Sequence, residues 1–496
     1  MVYSQEQEVA LEKEDSFCVN ATAGSGKTTT ICSWANYNGD RKMLALAYNR
    51  NARENLKKIK NSLGVDNLDC ETPHSLAYKT IFKVGEKPDL DFSITSTKIV
   101  EYLKLEDLPG MSNSCYAQGR WISTMFQYYL SSTVPNFSGL RPEMFPDFCN
   151  NEGFINNFSF LKDSAEDIFR LMKDREIPIL HDFYLREYWE GNYPLLYDAI
   201  LFDEGQDATP IMLDIFLRQD NILKVIVGDE HQQIYSWRHA VNSLESTGLE
   251  KLYLTNCFRF NDKVAETANQ ILKWKNVIGR ASSTPDLVGA RFVYPDPFPE
   301  KYGTAIIART NMGLLNAGIS LIDENHPHMN SIFFEGNFDS YAFNENGDSI
   351  SDVYNCFLNK RHEIKSNMIK NMRSFNELKE YSEMTNDNSL QVQIDLVEKY
   401  KGKLLGLLKT LSKRNAEHRD KAEMIFTTAH RAKGMEYDEV AIVDDFNTIQ
   451  DLKQKIEQKQ MSISRAAEEI NLLYVAVTRS RGTLLMKQNM INSLSY

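Results

Sequence analysis

The chain has 496 residues, and its 56 Lys and Arg against 68 Asp and Glu give a formal charge of −12 with neutral His. This charge excludes a generally basic nucleic-acid coat, and a composition of 42% hydrophobic and 25% charged residues excludes a largely disordered chain. The length predicts about three to four domains or subdomains, at roughly 100 to 200 residues each.

Targeting signals and cysteine spacing limit the class of protein further. The N-terminal sequence MVYSQEQEVALEKEDS is polar and acidic, whereas a signal peptide needs a basic and then an apolar run. No stretch of about 18 apolar residues predicts a membrane-spanning helix. Seven cysteines without a CxxC pair indicate neither a disulfide framework nor a zinc site. We therefore expect a cytoplasmic protein without membrane contact, associated with the nucleoid if its source is bacterial or phage.

The first strong motif is SFCVNATAGSGKTTT, in which an apolar, strand-like run enters a small-residue loop and leaves into a helical segment. Gly24 and Gly26 let backbone N–H groups turn toward phosphate oxygens, and Lys27 can reach the β and γ phosphates. The Thr28 hydroxyl can hold Mg²⁺, and Ala21 replaces the usual first glycine. The motif predicts a nucleotide site whose contacts are Ala23, Gly24, Ser25, Gly26, Lys27, Thr28 and Thr29.

The run AILFDEGQD places Asp203 and Glu204 at the end of a predicted strand. Adjacent strand side chains point to opposite faces and can therefore take different roles. We expect Asp203 to hold the metal and Glu204 to activate water. Two acidic residues at a strand end also fit a solvated loop, but after a phosphate loop they favour hydrolysis.

The next predicted strand lies in KVIVGDEHQQIYSWRHA, where a loop opens after the apolar residues. Gln232 follows at a position where an uncharged side chain could sense a γ phosphate. Tyr235, Trp237 and Arg238 form an aromatic and basic cluster of the kind that stacks on unpaired bases and holds backbone phosphate. From this segment alone, a packed pair of surface aromatic residues is an equal alternative.

Taken together, these motifs resemble the superfamily 1 helicases of the UvrD/Rep type, and within them the F-box DNA helicase branch, although no F-box is present. The resemblance spans nearly the whole chain. It implies that Gln7 reads adenine and that Tyr48 is the aromatic residue of the first single-strand motif, where NRN departs from the usual TNK. Thr72 and His74 match the next DNA motif, in ETPHSLAYK.

The resemblance also assigns residues in the second half of the chain. In LTNCFRF, Phe258 would stack on adenine and Arg259 would contact the γ phosphate, while Arg479 in VAVTR would be a second arginine finger. Such fingers are worth about 10³ to 10⁵ in rate. Further implied positions are Arg309, Asn311 and His430 for DNA, Glu436 for the nucleotide, and Lys433 and Gly434 in the motif that couples the two.

The predicted strands alternate with helical patterns, which favours parallel α/β layers with the nucleotide at the carboxyl ends of the strands. We predict two RecA-like parallel α/β cores with the ATP site between them, each carrying a mainly helical insertion. The second insertion ends in a basic helical stretch, which fits either a solvated face or a DNA contact. The predicted boundaries are 1–84 and 191–257 for core 1, 85–190 for its insertion, 258–320 and 421–496 for core 2, and 321–420 for its insertion.

By resemblance, the function is an ATP-dependent single-stranded DNA translocase and helicase that moves 3′ to 5′ with ATP and Mg²⁺. Its partners would be single-stranded DNA, tailed duplex DNA and a protein such as a nuclease or recombination factor, because few residues follow the last motif and a fused nuclease is not expected. An ATP-gated DNA-binding clamp or scaffold that acts with a partner protein is the first alternative. A small-molecule kinase is the second, but it would not need Trp237 or the HRAKG motif. The sequence leaves open whether the motor serves recombination, repair, replication or defence.

Overall fold

The computed structural model describes residues 3–107, 114–235, 243–280, 284–289, 304–323, 330–336, 338–341, 348–385 and 387–494. These residues form two compact units. Unit 1 comprises the described parts of Met1–Leu76, Asn192–Glu335 and Arg414–Tyr496, and unit 2 those of Ala77–Gly191 and Gly336–Lys413. Within the described residues, no helix has both the length and the apolar character needed to cross a bilayer.

The described part of the chain contains thirteen strands and twenty-two α-helices. The strands are β1 (Phe17–Ala21), β2 (Met43–Ala47), β3 (Leu68–Glu71), β4 (Leu90–Asp91), β5 (Ile179–Leu180), β6 (Ala199–Asp203), β7 (Leu223–Gly228), β8 (Glu250–Leu254), β9 (Thr304–Ala308), β10 (Ile332–Phe334), β11 (Met424–Thr428), β12 (Tyr437–Ile442) and β13 (Ser480–Leu485). The helices are α1 (Gln5–Leu11), α2 (Lys27–Tyr37), α3 (Arg50–Ser62), α4 (Pro73–Ile81), α5 (Ser96–Leu103), α6 (Ser114–Ser131), α7 (Glu152–Asn156), α8 (Phe158–Lys173), α9 (His181–Gly191), α10 (Pro210–Leu217), α11 (Ser243–Ser246), α12 (Asp262–Val277), α13 (Asn311–Asp323), α14 (Ile350–Phe357), α15 (Asn367–Asn371), α16 (Phe375–Thr385), α17 (Asn388–Tyr400), α18 (Leu404–Arg414), α19 (Ala429–Ala432), α20 (Ile449–Glu457), α21 (Ile463–Val477) and α22 (Gln488–Leu494).

The first sheet of unit 1 is parallel, with the strand order β3-β2-β6-β7-β1-β8 among the described residues. Every residue of β1, β2 and β6 is buried, as expected for strands of a parallel sheet that is covered on both faces. Asn20 of β1 lies beside Gly228 of β7, and Asp203 of β6 lies beside Val227. The carboxyl ends of three central strands therefore meet at one edge of the sheet.

The second sheet of unit 1 is also parallel and has the order β10-β11-β9-β12-β13 in the described part of the chain. Helices α12 and α21 pack against each other beside it. Its hydrophobic core contains residues of this sheet, such as Ile307 and Val440, together with Leu473 of α21. Ala23 and Ile234, which belong to loops of the first sheet, are fully buried in the same cluster. The two sheets thus share apolar packing through loops at the edge of the first sheet.

Unit 2 is mainly helical, with a small parallel pair of strands, β4 and β5. Helix α6 packs against α5, α8, α9 and α16, so segments from both halves of the unit meet on one helix. The fully buried guanidinium of Arg186 donates to the carbonyl oxygens of Ser132 and Val134 and lies 4.1 Å from the centre of the Tyr129 ring. The predicted fold class, two parallel α/β cores with helical insertions, is confirmed, while the segment boundaries given above stay a prediction.

Candidate nucleotide site and DNA-contact residues

The phosphate loop connects β1 to α2 and contains two glycines with positive φ, +73° at Gly24 and +81° at Gly26. A Cβ atom at Gly24 would lie 2.7 Å from both the Cβ of Arg259 and the Sγ of Cys257. Helix α2 starts at Lys27, and no side chain caps its first N–H groups. A helix start of this kind offers N–H groups and a partial positive charge to an anion. The loop therefore fits a nucleotide phosphate.

The predicted metal ligands lie together. The hydroxyl of Thr28 donates to Oδ2 of Asp203 over 2.9 Å. Burial, and then the neighbouring Glu204 carboxylate, raises the pKa of Asp203 to about 7, against the opposing effects of Thr28 and Lys27. A hydroxyl and a carboxylate are both oxygen donors, which is the ligand chemistry Mg²⁺ prefers next to phosphate. The pair fits this metal.

Glu204 occupies the turn that follows β6 and has a φ of +57°, a strained conformation for a residue with a Cβ. Its Oε2 accepts a 2.6 Å hydrogen bond from Nε2 of Gln206. Burial favours a higher pKa for Glu204, but Lys27, then Lys433 and other groups outweigh it, so its pKa is lowered. The carboxylate is therefore ionised at neutral pH, as a base that takes a proton from water must be.

Gln232 lies in a short turn after β7, and its Nε2 donates to Oδ2 of Asp229 over 2.8 Å. Lys433 reaches this turn from the second sheet, with Nζ donating to the carbonyl oxygen of Gln232 over 2.7 Å and to the carboxylate of Asp207. Burial raises the pKa of Asp207 to about 6, against the charge of Lys433. One lysine thus joins two loops of the first sheet.

The two predicted arginine fingers share one charged neighbourhood. Nε of Arg259 donates to Oε1 of Glu436 over 2.7 Å. Arg479 is fully buried, and its Nε donates to the carbonyl oxygen of Val475 over 2.9 Å. Burial, and then the charge of Arg259, lowers the pKa of Arg479 to about 10, while Glu204 acts on it in the opposite direction. Positive charge from residues far along the chain therefore reaches the acidic end of β6.

The predicted adenine residues lie at the start of the chain and after β8. Gln7 is buried, and its side chain donates to Thr30 over 3.0 Å and accepts the N–H of Ser4 in a capping box at α1. The backbone N–H of Phe258 donates to the carbonyl oxygen of Gly24 over 2.8 Å. Both residues therefore adjoin the phosphate loop and helix α2.

Three predicted DNA residues also lie together in unit 1. The rings of Tyr48 and Tyr235 stack with centroids 6.0 Å apart and planes 20° apart. The Tyr235 hydroxyl donates to the carbonyl oxygen of His430 over 3.2 Å, and Nζ of Lys433 lies 5.0 Å from the Tyr235 ring centre. Burial lowers the pKa of His430 to about 4, so its imidazole is neutral at pH 7. The cluster joins both sheets through Tyr235.

Other predicted DNA residues have different surroundings. Arg309 forms a two-point ion pair with Glu469, with Nη2 and Oε1 2.6 Å apart. Thr72 accepts the N–H of Ser75 over 3.0 Å in the first turn of α4. His74 lies in the same turn, and Asn311 begins α13. Trp237 and Arg238 lie outside the described residues.

Sequence reasoning missed three residues that support the site through hydrogen bonds to its neighbours: Gln206, Asp207 and Tyr474. Gln206 and Asp207 lie within DEGQD, directly after the predicted carboxylates, so their proximity was a usable signal. The hydroxyl of Tyr474 donates to Asp229 over 3.0 Å and accepts the N–H of Ala23 over 3.1 Å. In sequence, Tyr474 is one aromatic residue in an apolar helical run and gives no sign of these partners.

Comparison with known proteins gives matches over both halves of the chain. The AAA domain family matches residues 5–238, and the UvrD-like helicase C-terminal domain family matches residues 141–490. F-box DNA helicase 1 of Gallus gallus is 29% identical over 510 residues, which cover 96% of this chain and 48% of that protein. F-box DNA helicase protein 1 of Schizosaccharomyces pombe is 26% identical over 515 residues, covering 94% and 55%. The chain spans about half the length of the curated relatives it matches, and the resemblance predicted from its motifs is confirmed.

Proposed function

Because the chain belongs to the UvrD-like helicase family, we propose that it is an ATP-driven DNA helicase that moves 3′ to 5′ along single-stranded DNA. The observation that carries the proposal is the position of Lys433. This one side chain contacts the Gln232 turn and Asp207 beside the nucleotide residues, and it lies over the ring of Tyr235 in the aromatic cluster. A residue that touches both sites can transmit a change from one to the other.

The residues of the nucleotide site support hydrolysis. Mg²⁺ held by Thr28 and Asp203 would offset phosphate charge. Lys27 and the N–H groups of the loop bind the phosphates, and the ionised Glu204 accepts a proton from the attacking water. Arg259 and Arg479 supply positive charge where the leaving phosphate becomes more negative.

The aromatic cluster supports strand binding. A base that stacks on Tyr48 or Tyr235 gains about 1 to 3 kcal/mol, which holds a strand and still allows release in each cycle. Since these rings come from the first sheet and His430 from the second, closing and opening of the two cores would shift the strand between them. The overall charge of −12 does not oppose this, because phosphate binding needs only a local basic track.

Steady-state ATP hydrolysis tests the proposal, measured without nucleic acid and with single-stranded DNA, duplex DNA or single-stranded RNA. We expect stimulation by single-stranded DNA and a loss of about 10² to 10⁴ in kcat for Glu204→Gln, because the variant lacks the base. Tight DNA binding with negligible turnover in the unchanged protein would instead support an ATP-gated clamp.

Unwinding of duplexes that carry a single-stranded tail at either end tests the direction. We expect unwinding only with the 3′ tail, since a motor moving 3′ to 5′ must load there. Unwinding only with the 5′ tail would refute the proposed polarity and leave the ATP-driven activity intact.

A further inference from the structure

The loop after β7 starts in the first sheet but contacts residues attached to the second. Nδ2 of Asn471 in α21 donates to the carbonyl oxygen of Gln233 over 2.8 Å. Nζ of Lys275 in α12 lies 2.7 Å from Nδ1 of His231, and both side chains are buried. Neighbouring residues of this loop are therefore bonded to two helices of the second core.

Tyr474 also reaches from the second core into the first. It lies on α21 one turn after Asn471, and its side chain is fully buried. Its hydroxyl donates to Oδ2 of Asp229 over 3.0 Å and accepts the N–H of Ala23 over 3.1 Å. Since Asp229 also accepts from Gln232, a continuous series of hydrogen bonds runs from the phosphate loop to the Gln232 turn.

The hydroxyl of Tyr474 donates its only proton to Asp229 and accepts the N–H of Ala23 with a lone pair. If Ala23 or Asp229 moves, Tyr474 must follow or leave a buried polar group without a partner, which is costly in a dry interior. Tyr474 is also followed closely by Arg479, whose Nε bonds to Val475 in the same helix. A shift of the phosphate loop would therefore reach the buried arginine through a rigid helical segment.

We propose that Tyr474 is a positioning residue that couples the phosphate loop and the Gln232 turn of the first core to α21 of the second core. The proposal rests on the ATP-driven DNA helicase function given above. Tyr474 itself touches backbone and carboxylate groups of the chain, and it acts on turnover through Ala23, Asp229 and α21.

Tyr474→Phe is the test, since it removes the hydroxyl and keeps the ring that packs edge-on against His231 with centroids 5.8 Å apart. Tyr437→Phe is the matched control. Tyr437 is also fully buried in unit 1, and within the described residues its hydroxyl bonds to the Glu335 carboxylate over 3.3 Å and to Sδ of Met435 over 3.5 Å, both outside the phosphate loop. Both variants lose one buried hydroxyl bonded to a carboxylate.

We expect Tyr474→Phe to lower DNA-stimulated kcat about tenfold, as for a lost hydrogen bond to a charged group, while KM for ATP and turnover without DNA stay within about twofold. The control should keep its DNA stimulation. A normal ratio of stimulated to basal turnover in Tyr474→Phe overturns the proposal, and so does an equal loss in both variants, because a general loss of stability would explain it.

Amide hydrogen exchange separates this proposal from the proposed function. Without DNA or nucleotide, we expect faster exchange at the Ala23 amide in Tyr474→Phe and unchanged exchange there in Tyr437→Phe. If the unchanged protein lacks DNA-stimulated turnover, the helicase function fails, while faster exchange at Ala23 still supports the contact between the cores. Unchanged exchange at Ala23 in Tyr474→Phe overturns the coupling whatever the turnover shows.

Discussion

Gly24 is required both by its backbone conformation and by the lack of space for a side chain. Its φ of +73° lies in the region that favours glycine, and the space beside its Cα is taken by Arg259 and Cys257. The phosphate loop therefore approaches the segment after β8 more closely than any side chain at this position would allow. This close approach brings a predicted arginine finger next to the phosphate loop.

We expect Gly24→Ala to be costlier than Gly248→Ala. Both glycines have positive φ, +73° and +67°, but a Cβ at Gly248 would meet no atom within 4 Å. Gly248→Ala should therefore cost only about 1 kcal/mol of stability, from backbone strain. Gly24→Ala should cost more and weaken nucleotide binding, because Arg259 has to move. Urea unfolding and nucleotide titration measure both effects, and equal costs would contradict the steric argument.

A substitution of Tyr48 tests whether the aromatic cluster stacks on DNA bases. We expect Tyr48→Leu to weaken single-stranded DNA binding by about 1 to 3 kcal/mol, because leucine keeps apolar bulk but offers no ring for stacking. Tyr37→Leu is the control, since this tyrosine is 68% exposed at the end of α2. Fluorescence anisotropy with labelled oligonucleotides gives both affinities. A loss of the same size in the two variants would argue against a specific stacking role.

At the level of elements, the ion pair between Arg309 and Glu469 joins the end of β9 to α21. Burial favours a higher pKa for Glu469, but its bonds to Arg309 and Asn447 outweigh burial and lower it. The pKa of Glu469 is therefore lower in the folded protein than its ordinary value of 4.5. The ion pair contributes its full stabilisation above pH 4.5 and loses it as the pH falls through the pKa of the folded state. A low pH therefore weakens the link that this ion pair makes between β9 and α21.

We expect Glu469→Gln to lower the free energy of unfolding by about 2 to 3 kcal/mol at pH 7, less than for a fully buried pair because the Arg309 side chain keeps 27% exposure. The variant should also lose less stability than the unchanged protein when the pH falls below 4.5. Urea unfolding at several pH values measures this, with Glu457→Gln as an exposed control on α20. Parallel acid profiles for the variant and the unchanged protein would contradict the assignment.

Elements were more predictable from sequence than the contacts between them. The strand predicted to end at the acidic pair is β6, which ends at Asp203, and the apolar run in SFCVNATAGSGKTTT is β1, since strands of a buried parallel sheet leave continuous apolar runs. The approach of Thr28 to Asp203 follows from the shared edge of these strands. In contrast, the bonds that Lys433 donates to Asp207 and Arg309 donates to Glu469 join residues far apart in sequence, and no local period encodes them.

At the scale of the molecule, the two sheets of unit 1 share a hydrophobic core. Ile234 follows β7 of the first sheet, yet it is fully buried in the cluster that contains Ile307 of the second sheet. Packing of this kind makes the stability of each sheet depend on the other. Unit 1 should therefore unfold in one cooperative step.

We expect Ile234→Ala to lower the stability of both sheets by the same amount, about 2 to 5 kcal/mol, because it leaves a cavity in their shared core. Hydrogen exchange at β6 and β9 reports on the two sheets separately. Ile463→Ala, at a side chain with 44% exposure, should change neither. A loss of protection confined to β6 would show that the sheets unfold independently.

The bond from Ala23 to Tyr474 joins residues 451 positions apart. A ribosome adds about 5 to 20 residues per second, so the newly made phosphate loop waits about 20 to 90 s for this partner. Strand β1, near the start of the chain, also emerges long before its neighbours β7 and β8. Both sides of this apolar strand therefore stay unpaired while about 200 residues are added between β1 and β7, and a chaperone that binds exposed apolar segments would protect β1 during this time.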